Sequence, residues 1–327
     1  MGPATVRVKP MTVHTRWTKG LRLALVVFGF LGVTSWWAEA RSEEQLRLTW
    51  RRDAESGREF LTVRGPRLPE EGLVIWHLEA FCRPGSTNRA WEETVIPHHT
   101  ELIDQAPDGS QILLRSQLED GVTVDQRIEV DPHEPDVVRF ALTCRNPTDR
   151  VSLAHWGQSC VRVANFTGHP ERPGAEDYLP QVFVGIEGEL TFLPCQPWSR
   201  TARYTPGQVF RPAHVDPQDL NPRPVNRRLA DPGLIGCVSA DRQSLVAVAW
   251  QPYQELFQGV IVCIHADFRI GGLEPGGEKL VRGALYVMEN DRERLLRRYR
   301  RDFPQTNQGD LLKGCPKVSS SMKGVPR

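Results

Sequence analysis

No stretch of this sequence is apolar for the roughly 20 residues that a bilayer-crossing helix needs; the longest such run, Leu23 to Val33, is about half that length. No C-x-x-C pair occurs, which argues against a zinc ribbon or a thioredoxin-like site and leaves no metal to be expected from spacing. A nucleophile elbow, a phosphate loop and a zinc-protease helix motif are all missing, so none of those familiar chemistries is signalled and no cofactor is implied. No internal repeat is visible. An excess of basic charge is lacking too. Five of the 41 basic and one of the 40 acidic residues lie within residues 1 to 40, so beyond them 36 basic residues face 39 acidic ones. A net charge of −3 offers no stripe for phosphates, and nucleic acid is excluded as a partner.

What the chain does have begins with an export pattern. Arg7, Lys9, Arg16, Lys19 and Arg22 precede the short apolar run, and Ala38-Glu39-Ala40 follows as an A-x-A cleavage site. Residues 1 to 40 are therefore expected to be a signal peptide and the protein to be secreted or periplasmic, without a transmembrane span in the mature chain. Trp36 and Trp37 favour membrane interfaces and keep an uncleaved N-terminal anchor as the alternative. All seven cysteines lie beyond this segment, and an odd number leaves at least one thiol over. Cys144 and Cys263 sit in apolar strand patterns and read as buried; Cys82 and Cys195, beside turn residues, are the better disulfide candidates.

Strand signals dominate the rest. Val122, Val124, Ile128 and Val130 share one parity against Thr123, Asp125, Arg127 and Glu129, and Val138, Phe140, Leu142 and Cys144 repeat it beyond a turn at 131–135. Further strands are expected at 46–50, 59–63, 73–80, 111–116, 151–156, 181–186, 245–250, 260–264 and 281–288. One helix stands out: Asp291 caps it, Leu295, Leu296 and Tyr299 form its stripe, and Pro304 closes it. The fold class that follows is all-β, stacked antiparallel sheets in one domain over 41–304, with a flexible tail over 305–327. The proline-rich stretch 204–233 should be a loop packed over a sheet, because its prolines exclude a central strand and a helix interior.

The run Gly272-Leu273-Glu274-Pro275-Gly276-Gly277-Glu278, leading into Val281 to Val287, resembles the Pro-Gly-Glu turn before a late strand in galactose mutarotase-like supersandwich domains. Phe140 to Thr148, ending a strand in Asn-Pro-Thr, is similar to a strand those domains carry near their middle. The whole chain is also similar to exported bacterial proteins, a likeness that supplies no residue roles. The supersandwich resemblance implies carbohydrate, since the family includes sugar epimerases, polysaccharide lyases and accessory domains of glycoside hydrolases. Its epimerases pair a histidine acid with a glutamate base, and no segment here matches their catalytic strand.

Four clusters carry chemistry on their own account. His265, Asp267 and Arg269 share one face if their strand continues, making either an acid/base centre or an ion-paired strand end. His214, Asp216, Asp219 and Asn221 offer cation ligands or Asx turns. Trp91, Glu92 and Glu93 precede His98 and His99, of which at most one can serve a shared site. Gln251 to Gln258, dense in amides with Tyr253, Gln254, Glu255 and Phe257, reads as a binding loop or as a helical turn plugged into the core. His155 could join from a neighbouring edge, and Tyr204 from the proline-rich loop. Three functions follow: glycan binding, through Trp91, Glu92, His155, Tyr204, His214, Tyr253, Gln254 and Arg269; a lyase or hydrolase, with His265 or His99 as acid/base and Glu255 or Asp267 as partner; or an envelope scaffold. Oligomeric state is not readable.

Overall fold

The computed structural model describes residues 45–194, 209–221, 225–259 and 261–304. The expected signal segment and tail lie outside them, as do Tyr204, Cys195 and Cys315. Two antiparallel sheets stack. The smaller runs β1 (Arg47–Arg52), β2 (Glu59–Arg64), β3 (Leu73–Cys82), β9 (Trp156–Arg162), β15 (Cys263–Arg269) and β14 (Tyr253–Gln258), with β4 (Val95–Ile96) added to the end of β3. The larger runs β11 (Glu189–Phe192), β10 (Val182–Ile186), β12 (Ala230–Val238), β13 (Ser244–Gln251), β16 (Glu278–Glu289), β8 (Val137–Arg145), β7 (Thr123–Val130), β6 (Gln111–Leu118) and β5 (His98–Gln105). This is the all-β sandwich the alternation predicts. No helix among the described residues is long and apolar enough to cross a membrane.

The hairpin over 122–144 forms, with Val130 opposite Val138. Its inward residues meet those of the smaller sheet in one core. The strands β12, β13 and β16 are buried on both faces, because Leu295 and Phe303, from and just beyond the helix α3 (Arg292–Asp302), cover their outer side. Asp291 caps α3 by accepting the Arg294 amide at 2.8 Å, and buried Arg298 forks onto both oxygens of Asp136 at 2.8 Å.

Four expectations are corrected. The segment 151–155 is not a strand: the Asp120 carboxylate takes the amides of Leu153 and Ala154 at 2.9 and 3.1 Å, and regular pairing starts only at Trp156. Residues 251–258 are neither loop nor helical turn; Pro252 marks the corner where the chain leaves the larger sheet and becomes β14 of the smaller. The strand expected at 260–264 begins only at Cys263, after a tight turn in which Cys263 N–H donates to the Ile261 carbonyl at 2.7 Å. Proline 232 does lie within a strand, yet it falls where the β10–β12 register jumps from Val184–Ile235 to Ile186–Ala230, so no ladder bond is lost there.

One polar chain crosses the core. His77 on β3 meets Gln126 Oε1 at 2.8 Å, Gln126 Nε2 donates to Ser116 Oγ at 3.0 Å, and Ser116 meets Thr100 at 2.8 Å. Burial lowers the His77 pKa to about 4, a trend the Gln126 bond opposes without reversing. A histidine whose folded pKa lies below its unfolded value contributes stability that is lost as pH falls through the unfolded value near 6.5 toward 4. Unfolding free energy should therefore drop by about 2 kcal/mol between pH 7 and pH 5 on this account. Urea titrations at the two pH values test it: the drop should vanish in His77→Gln, and an equal drop in that variant would refute the assignment.

Candidate functional site

The sequence of β15, Cys-Ile-His-Ala-Asp-Phe-Arg, alternates so that Ile264, Ala266 and Phe268 enter the core while Cys263, His265, Asp267 and Arg269 face outward. Strand β14 sets Glu255 opposite Asp267 and Phe257 opposite His265. On the other side Ile264 pairs with Val161 and Phe268 with Gly157, a register that brings Cys160 opposite His265 and Gln158 opposite Asp267. A register shift between Tyr253 and Glu255 turns both Gln254 and Glu255 to this outer face. The result is a band of polar side chains across the middle of the smaller sheet.

That band is covered. Residues 209–221 lie over it, with Phe210 exchanging backbone bonds with Leu256 at 2.8 and 2.9 Å along the edge of β14. Val209, Val215 and Leu220 pack on Phe257. Both Glu255 oxygens accept the Asn221 amide, at 3.1 and 3.0 Å, and Asn221 Nδ2 donates to Gln158 Oε1 at 3.2 Å. Gln158 Nε2 in turn donates to Glu79 at 2.9 Å. From the far side a turn at Ser86–Asn88 grips the same segment: Ser86 Oγ donates to the Leu220 carbonyl at 2.8 Å and Thr87 Oγ1 to that of Pro217 at 2.9 Å. Asp216 closes a local turn by accepting the Gln218 amide at 2.8 Å, the Asx-turn alternative.

Deepest in the band, His265 is 3% exposed and Asp267 and Glu255 are fully buried. The His265 ring stacks on Phe257 with centroids 4.4 Å apart, its Nε2 is 3.5 Å from Cys263 Sγ, and its Nδ1 is 3.7 Å from Asp267 Oδ1. Burial disfavours the imidazolium, but the Cys263 sulfur and the Asp267 carboxylate outweigh it and push the His265 pKa up to about 10. Burial raises the Cys82 thiol, as do the carboxylates of Asp267 and Glu255; Cys82, a disulfide candidate by sequence, is a buried thiol.

At the open end of the band Arg269, His155 and Trp91 are partly exposed, while Gln254 and Asp219 are buried behind them. Arg269 donates to Asp219 Oδ2 at 3.0 Å and to Gln254 Oε1 at 2.5 Å, while Asp219 also accepts the Gly85 amide at 3.1 Å. His155 Nδ1 stands 3.6 Å from Asp219. Its ring lies against Gly272, which has φ +74° and where a Cβ would come within 2.8 Å of His155 Nε2. Trp91, in the short helix α1 (Trp91–Thr94), tilts over Trp156 at 6.4 Å, and Trp156 pairs with Arg269.

Of the residues singled out by sequence, His265, Asp267, Glu255, Gln254, Arg269, His155 and Trp91 thus share one face of one sheet. His214, within the covering segment, meets Tyr253 edge-on at 6.4 Å. Glu92 points to solvent. His99 is elsewhere: it lies on β5, the edge strand of the larger sheet, with Nδ1 3.0 Å from Arg52 and Nε2 3.8 Å from Glu101. There it lines a surface cleft of about 580 Å³ with Arg115 and Glu119, away from the polar band. Gln158 and Cys160 are members not singled out by sequence, and Asp219, there a cation ligand or Asx-turn former, joins them. The even-numbered parity of Trp156, Gln158, Cys160 and Arg162 was the available signal for Gln158 and Cys160.

No protein-family model matches the sequence, and comparison with curated proteins finds no relative. Among solved structures the chain is similar to the Slr1438 protein of Synechocystis sp. PCC 6803, at 12% identity and TM-score 0.39 over 74% of this chain and 95% of that one. It is similar to a candidate mutarotase of Salmonella typhimurium, at 9% identity and TM-score 0.33 over 74% and 94% of the two chains. It is also similar to a candidate aldose 1-epimerase of Klebsiella pneumoniae, at 8% identity and TM-score 0.37 over 80% and 88%.

Proposed function

We propose that this is an exported, carbohydrate-associated β-sandwich protein that binds glycan at the open end of the smaller sheet. The observation that carries the reading is the grouping of Trp91 over Trp156 beside Arg269, Gln254, Asp219 and His155. An indole face suits the C–H side of a pyranose, and a guanidinium and an imidazole held at its edge, braced by the buried Gln254 and Asp219, suit ring hydroxyls. Export is supported by the charged, apolar and small-residue order of residues 1 to 40. Catalysis on polysaccharide fits less well, because His265, Asp267 and Glu255 lie beneath residues 209–221 with almost no exposed surface.

Binding of the full chain to a panel of neutral and acidic bacterial polysaccharides tests this. Trp91→Ala should weaken capture about tenfold, the loss of roughly 1.4 kcal/mol of stacking, with Tm nearly unchanged. Binding that ignores this substitution, or no binding to any glycan, would end the proposal; release of unsaturated or reducing ends would favour the enzyme.

A further inference from the structure

We propose that Cys160, Cys263 and His265 form a binding site for a thiophilic d10 metal ion, Zn2+ foremost, with Asp267 orienting the histidine from behind. Two features bring the donors together. Cys263 and His265 are i, i+2 neighbours on the outer face of β15, and antiparallel pairing delivers Cys160 of β9 opposite His265. All three donor atoms lie within 4.8 Å of one another, and all three residues are buried.

The spacing suits a tetrahedral ion. Zinc holds sulfur at about 2.3 Å and imidazole nitrogen at about 2.0 Å, which sets two such donors about 3.5 Å apart across a tetrahedral angle. Cys263 Sγ and His265 Nε2 stand 3.5 Å apart. The other ring nitrogen faces Asp267 Oδ1 at 3.7 Å, the carboxylate–histidine relation that fixes tautomer and ring angle in metal sites. Phe257, stacked 10° from coplanar, holds the ring plane, and Val209, Val215 and Leu220 complete an apolar wall.

Gly259 is the remaining element. A Cβ there would come within 2.0 Å of Cys263 Sγ and 3.2 Å of His265 Nε2, so any side chain would occupy the space between the donors and the chain above them. Two sulfurs and one imidazole select Zn2+ or Cu+ over harder ions. Three protein donors leave one position for water. Loading is balanced in protons: Zn2+ displaces both thiol protons and the Nε2 proton to solvent, while the Nδ1 proton stays on the imidazole, facing Asp267.

The full-length chain, prepared without strong chelators and dialysed with Zn2+, should retain one zinc per chain after removal of loosely held ion. Cobalt in place of zinc should give the intense visible bands of a tetrahedral ion and a near-ultraviolet thiolate charge-transfer band. Cys160→Ser and Cys263→Ser should abolish both signals, Cys237→Ala should keep them, and Asp267→Asn should weaken zinc about 10- to 100-fold in chelator competition. Should the serine variants fail to fold, alkylation of native wild type decides: bound zinc must protect Cys160 and Cys263 relative to the chelated protein. Failure of wild type to retain either Zn2+ or Cu+, a Cys160–Cys263 disulfide found by mass, or retention in both serine variants overturns the assignment. Glycan binding is read separately and does not enter this outcome.

Discussion

Phe268→Ala should lower the unfolding free energy by about 4 kcal/mol, within the range seen when a buried phenylalanine is truncated. Phe268 is fully buried at the middle of the sandwich, with its ring 5.0 Å from Trp250 and 6.1 Å from Phe81. Its special position comes from a pairing rule this fold repeats. Phe268 stands opposite Gly157 in the ladder, and a Cβ on Gly157 would lie 2.2 Å from the ring. Trp250 likewise stands opposite Gly283, with 2.5 Å to a built Cβ, and Phe183 opposite Gly236, with 2.6 Å. Each ring lies across a strand that has no side chain at that point, replacing the missing packing. Truncating Phe268 therefore leaves both a cavity and a bare glycine strand. Urea denaturation checks the size of the loss: a cost under about 1 kcal/mol would mean that the neighbours collapse into the space and that the pairing carries little energy.

The second large effect is expected at Glu255. Its carboxylate is buried and both oxygens accept one backbone amide, that of Asn221. Glu255→Ala would leave that amide without its acceptor and remove the anchor of the covering segment, at a cost of about 3 kcal/mol. The loss should be local as well as global. The other ties of residues 209–221 to the sheet, namely the Phe210–Leu256 bridge, the Phe257 contacts, Asn221 Nδ2 on Gln158 and Arg269 on Asp219, lie on this same face, whereas β7 and β8 belong to the other sheet. Hydrogen exchange across 209–221 should therefore quicken more than exchange in β7 and β8. Uniform acceleration over the whole chain, or none, would show that Glu255 does not hold this segment. Glu255→Gln keeps one acceptor oxygen and should fall between the two.

The same buried carboxylate explains which parts of the molecule were legible in the sequence. The hairpin over 122–144 was readable because one face meets solvent and the other the core, so polarity and burial coincide. The common face of His265, Asp267 and Arg269 was readable too, from spacing alone. Strand β14 was not: Gln254, Glu255 and Gln258 read as solvent-facing loop residues, whereas a second layer of chain covers them. Strand β9 failed for the same reason. Gly157, Gln158 and Ser159 carry no strand signal, and their burial depends on an aromatic ring, a covering segment and the β3 bulge at Leu78, whose amide Ser159 Oγ accepts at 3.1 Å. Sequence rules equate polar with exposed, and they fail where a fold buries polar groups together, which is where sites are built. The proline at 232 misled in the opposite sense, since a bulge can absorb what a regular ladder cannot.

The strand order also sets when this chain can finish folding. Strand β9 needs β15 as its second neighbour, and β8 needs β16, so each sheet stays split until residues beyond 262 are present. A nascent chain would emerge for most of its length with unclosed ladders and no lasting tertiary barrier to being drawn, extended, through a narrow translocation pore. Late closure of this kind is compatible with the export proposed above.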